Sequence, residues 1–136
     1  MTLKELSQLY YLNREIEADK ERLERLRELA ASPSGPNLSG MPGSGSRENR
    51  LERYIAEIID LEAIISAKIT QCLHERSRLE RYIADIPDSL TRQIFTLRFV
   101  NGLSWTQTAF SLGGGNNEDN VRQRVYRYLK ANAEKN

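Results

Sequence analysis

Cysteine and histidine are nearly missing from this chain of 136 residues: Cys72 and His74 are the only ones. A single cysteine excludes a disulfide framework within the chain, and no cluster has metal-ligand spacing. No apolar run is long enough to span a bilayer and no secretory signal pattern opens the chain, so the expectation is a cytoplasmic protein with no membrane association. A nucleophile–base pair and paired carboxylates in a plausible pocket are both lacking. The glycines at 113–115 lack the Gly-Lys-Ser/Thr ending of a phosphate-binding loop, and no strand precedes them. Neither catalysis nor a cofactor is expected. An excess of one charge is missing too, since 20 Lys+Arg stand against 19 Asp+Glu, a formal +1.

The distribution of charge says more than the total. Residues 88–136 carry seven basic side chains (Arg92, Arg98, Arg122, Arg124, Arg127, Lys130, Lys135) against four acids (Asp88, Glu118, Asp119, Glu134). The two segments before them are each slightly acidic. A local positive stripe on a neutral protein is an electrostatic footprint.

What is present in quantity is helical pattern, and the fold class expected is all-α. Residues 1–31 read as an N-terminal helix, with Leu9, Leu12, Ile16, Leu23, Leu26 and Ala30 at three- and four-residue steps, interrupted by Asp19. Residues 32–46 are nearly all Pro, Gly and Ser, including Pro33, Pro36 and Pro42, and read as a flexible linker. Residues 47–86 form a second, longer helix. Leu51, Ile58, Ile65, Cys72, Leu79 and Ile86 recur every seventh position, flanked by Tyr54 and Leu61 on one side and Ile69 and Ile83 on the other. This is the coiled-coil pattern. Cys72 on that seam is expected to be a buried structural thiol. RLERYIAEI at 50–58 returns as RLERYIADI at 78–86, four heptads later, so both copies show the same face.

Such a helix would be on the order of 55 Å long, and with a single apolar seam it needs another helix. The first helix can fold back as an antiparallel hairpin, or a second copy can pair with it. The expectation is a hairpin plus a homodimer.

Residues 87–136 read as a helix-turn-helix domain. Pro87, Asp88 and Ser89 break the long helix and cap the next. Leu90, Ile94, Leu97 and Arg98 follow at helical spacing, with Phe95 and Phe99 adding bulk, and Asn101-Gly102 ends the helix. Ser104 caps a short helix in which Trp105, Thr108, Ala109 and Leu112 face inward; Trp105 and all three phenylalanines are expected in the core. Gly113–Asn116 is the turn and Asn117 the cap of the last helix, whose buried face is Val121, Val125, Tyr128 and Leu129.

In that outline the last helix lies in the major groove of duplex DNA. Its first turn reaches base edges, which assigns Glu118, Asn120, Arg122 and Gln123 to base reading. Arg124, Arg127 and Lys130 follow for phosphates, with Thr106 and Gln107 placed for the backbone by the preceding helix.

The stretch IPDSLTRQIFTLRFVNGLSWTQTAFSLG, followed by NVRQRVYRYLK, resembles region 4 of sigma-70-type transcription factors. It is most similar to the small extracytoplasmic-function branch. Ile86-Pro87, Arg92, Phe95, Leu97-Arg98-Phe99, Gly102–Trp105, Ala109, Leu112-Gly113, Val121, Arg124, Arg127 and Leu129 carry the resemblance, over about a third of the chain. It departs from that family in a turn about two residues longer and in the acids Glu118 and Asp119. The resemblance implies a module that binds a promoter element and touches RNA polymerase. The full layout resembles small phage transcription regulators of the ArpU and RinA type. A complete sigma factor is not expected, because promoter melting needs a separate region and the first 85 residues show a coiled coil.

The function expected is therefore sequence-specific binding of double-stranded DNA in transcription regulation. A dimer would address half-sites about 34 Å apart or a multiple of that. Two other readings compete: a DNA-packaging protein of the small terminase type, and a module that binds RNA polymerase or another protein without touching DNA.

Overall fold

The structure, a computed structural model, describes residues 1–32 and 44–134 and is all-α, with no strand among the described residues. The helices are α1 (Leu3–Leu6), α2 (Gln8–Ala31), α3 (Ser44–Ala84), α4 (Ser89–Phe95), a π-helical turn (Thr96–Val100), α5 (Trp105–Leu112) and α6 (Glu118–Glu134). Of the linker expected at 32–46, residues 33–43 lie outside the described residues, and its last three positions open α3. Lys135 lies outside them as well. No helix among the described residues is long and apolar enough to cross a membrane.

Two compact units divide the chain: residues 14–70, and residues 1–13 together with 71–136. In the 14–70 unit, Leu23 and Leu26 of α2 form a buried cluster with Leu61 and Ile65 of α3, against which Tyr54 and Ile58 pack. The helices run antiparallel. Asp19 meets Lys68 at 2.6 Å and Arg27 meets Glu62 at 3.2 Å, so partner numbers fall along α3 as α2 advances. Around Leu61 and Ile65 the seam of α3 is therefore covered by the same chain.

Asp19, the one polar break in the row Leu9, Leu12, Ile16, Leu23 and Leu26, is answered by Lys68. The Asp19 hydrogen bond, opposed by partial burial and helped by the charges of Asp19 and Glu15, holds the Lys68 ammonium above its ordinary value. Lys68 takes the flank of α3 that faces α2. Ile69, expected to flank the seam, is one residue further round and 42% exposed, and Leu51 is 43% exposed.

In the other unit, Glu5 and Arg78 meet at 3.5 Å and Asn13 lies 3.6 Å from the buried Cys72 sulfur, again with antiparallel numbering. Leu6, Leu79, Ile86, Ile94, Phe95, Val121 and Val125 are all but fully buried. Phe95 is the hub. Its ring centroid lies 5.4 Å from Phe99, 5.5 Å from Tyr128 and 6.2 Å from Tyr82. Burial pushes the Tyr82 hydroxyl above its ordinary value, and Tyr128 adds to the effect.

The breaks between helices follow from local chemistry. Asp88 sits in extended backbone and its carboxylate accepts from the Thr91 N–H, capping α4. Arg92 reaches back to donate to the Ile86 and Pro87 carbonyls at 2.6 and 3.0 Å, pinning the bend after α3. Ser104 and Gln107 form a capping box at the start of α5. Gly113, Gly114 and Gly115 all take positive φ, which lets the chain reverse within a few residues. Asn117 and Asn120 then cap α6 reciprocally, each side-chain oxygen accepting the other's N–H at 2.9 Å.

Two expectations about the core are corrected. Phe110 is 88% exposed: on a helix of eight residues, Thr108 and Ala109 take the inner face, and Phe110 follows 100° further round. Trp105 is only half-buried, packed edge-on against Phe99 and Tyr126 with the Arg98 guanidinium 4.7 Å above its ring. Arg98 also donates to the Leu103 carbonyl at 2.8 Å, closing the loop before α5. The centre of this core is Phe95.

Candidate nucleic-acid interface

α6 is anchored by its inner row. Val121 and Val125 are 1% and 0% exposed, so the opposite side of the helix is committed to solvent. Asn120, Gln123, Arg124 and Arg127 stand on that side at spacings of three, four and seven, which places them on one stripe. They line an open groove of about 570 Å³ with Tyr128, also from α6. Asp88 and Thr91 at the start of α4 and Asn116 from the glycine turn complete its wall. The structure thus brings four of the nine expected site residues together.

The remaining five lie elsewhere on the same unit. Arg122 is on another face of α6, paired with Asp119 at 2.8 Å and Glu118 at 3.5 Å. Glu118 accepts from the Thr106 hydroxyl at 3.1 Å, a bond that ties the start of α5 to the start of α6. The Gln107 side-chain oxygen is spent on the capping box, accepting from the Ser104 N–H at 2.9 Å. Lys130 is exposed one turn beyond the groove.

Within the groove, charge is arranged rather than merely accumulated. Asp88 Oδ2 accepts from the Thr91 hydroxyl at 2.6 Å and the Thr91 N–H at 3.0 Å, and Arg124 Nη1 approaches it at 3.1 Å. The Thr91 hydrogen bonds first, and the Arg124 charge after them, hold the Asp88 carboxyl below its ordinary value. Arg127 donates to the Gln123 side-chain oxygen at 3.2 Å. Both arginines are therefore oriented by a neighbour while their surface stays open, and two guanidinium charges face one carboxylate.

Guanidinium groups beside exposed carboxamides on one helical stripe suit a ligand offering both phosphate oxygens and base-edge donors and acceptors. Asp88, Thr91, Asn116 and Tyr128 were not among the expected site residues. Asp88 was legible as a cap, but nothing local signals its meeting with Arg124, 36 positions away. Among the described residues, no group of three or more His, Cys, Asp and Glu side chains could hold a metal ion. Comparison of the chain with protein-family models, with curated proteins and with solved structures finds no match.

Proposed function

We propose that the chain is a sequence-specific, double-stranded DNA-binding transcription regulator of the phage type, without catalytic activity and short of a complete sigma factor. The observation that carries the reading is the exposed stripe Asn120–Gln123–Arg124–Arg127 on a helix fixed from behind by Val121 and Val125. In this reading α5 and α6 form a helix-turn-helix, α6 enters the major groove and Thr106, Gln107 and Lys130 approach phosphates. Glu118 and Arg122 are assigned to base edges from the other face of α6. The resemblance to sigma region 4 supports the same docking.

The working form is a homodimer through the long helices, in the cytoplasm. Phe110, 88% exposed on α5, favours a second contact with protein, and RNA polymerase is the partner that the resemblance implies.

A random-library DNA selection with purified protein at physiological salt tests the reading. Enrichment of one site, lost on changing Arg124→Glu together with Arg127→Glu, is the expected outcome. No enrichment, or binding that survives the double change, overturns it.

A further inference from the structure

α3 carries a second row of apolar side chains that its packing against α2 leaves open. Ile55, Ile59, Ile69 and Leu73 are 46%, 61%, 42% and 61% exposed. With Glu62 and Ser66 between them, they advance along this one helix in alternating steps of four and three residues. Such stepping keeps one face of a helix toward a partner helix. The row lies roughly a quarter-turn from the buried seam of Leu61, Ile65, Cys72 and Leu79, so it is a separate surface.

The row has the same character read from either end: two aliphatic residues, two polar ones, two aliphatic ones. That symmetry is what a helix needs to pair antiparallel with its own copy about a two-fold axis. An axis through position 64 sets Ile55 against Leu73 of the second copy, Ile59 against Ile69, and Glu62 against Ser66. The next residues outward in the same stepping are Glu52 and Arg76, and this alignment brings them opposite each other at both ends. Parallel pairing would instead set Glu52 on Glu52, Glu62 on Glu62 and Arg76 on Arg76, which is repulsive at every charged position.

We propose that two copies of the chain pair antiparallel through the Ile55–Ile59–Ile69–Leu73 face of α3, with Glu52 and Arg76 fixing the direction. The proposal rests on the homodimer proposed above and specifies its surface and sense. The in-chain pairs Arg27–Glu62 and Arg76–Glu80 lie at the surface, with Glu62 and Arg76 side chains 50% and 58% exposed, and leave the row accessible.

Sedimentation of the full chain across the micromolar range should show a dimer. Ile59→Glu with Ile69→Glu should give a monomer with unchanged helical circular dichroism. Glu52→Arg and Arg76→Glu should each weaken the dimer severalfold, and the two together should restore it. In a Cys72→Ser background, Ile59→Cys with Ile69→Cys should oxidise to a linked dimer, whereas Ile59→Cys alone should not. A chain that stays monomeric overturns both this surface and the homodimer. A dimer indifferent to the glutamates, or linked through Ile59→Cys alone, overturns only the face or the direction.

Discussion

Asp88 and Arg124 are joined across the C-terminal unit, carboxylate Oδ2 to guanidinium Nη1 at 3.1 Å, and the same oxygen caps α4 through Thr91. One atom thereby secures the start of one helix and orients a basic side chain of another. Its ionisation state should be felt in both.

A carboxyl whose value is lowered on folding, as Asp88 is, stabilises the fold above its unfolded value; that contribution is lost as pH falls through the lowered folded value. Asp88→Ser keeps a capping oxygen and drops the charge. Denaturant titrations followed by Trp105 fluorescence should find the variant less stable near neutrality and converging with the parent at strongly acid pH. A gap that stays constant with pH would count against an ionic contribution.

The two classes of groove residue should separate in DNA binding. Arg127→Ala should lower affinity for all sequences alike and reduce the salt slope of log K by about 1. Gln123→Ala should cost about 1–3 kcal/mol only where one base position is matched, relaxing preference there. Titrations of matched and mismatched duplexes at several salt concentrations make the comparison. Equal loss on every duplex for Gln123→Ala would remove it from base reading.

Phe110 and Phe95 offer a contrast in one residue type, at 88% and 0% exposure. Phe95→Ala should destabilise by about 3–5 kcal/mol. Phe110→Ser should fall within about 0.5 kcal/mol of the parent. Chemical denaturation of both variants measures this, and a large loss at Phe110 would return that ring to the core.

Thr108 is fully buried on α5, and its hydroxyl has no hydrogen-bond partner among the described residues. Removing an unsatisfied buried hydroxyl while keeping the side-chain shape should help. Thr108→Val is expected to raise stability by about 1 kcal/mol. A loss on thermal melting would show that the hydroxyl is satisfied in solution.

The contrast between legible and illegible features follows sequence separation. The caps Asp88, Ser104 and Asn117 act on residues three positions away, and each stands where local pattern puts it. The row from Leu9 to Leu26 is periodic over many turns, and its burial follows. α5 is too short for that. With Trp105, Ala109, Phe110 and Leu112 apolar, eight residues offer two candidate faces, and packing selects the one that leaves Phe110 outside. The groove is harder still, because it depends on Asp88 and Asn116 arriving beside α6 from elsewhere in the chain.

The meeting of Asp19 with Lys68, 49 positions apart, has a further consequence for the 14–70 unit. Aliphatic rows that repeat every seven residues would accept one another almost equally well after sliding by a full heptad. Such a slip would strand the carboxylate and the ammonium among hydrocarbon side chains, each without its counter-charge. The pair therefore acts less as glue than as an index mark, leaving the two helices one alignment out of several that their oily edges alone would tolerate.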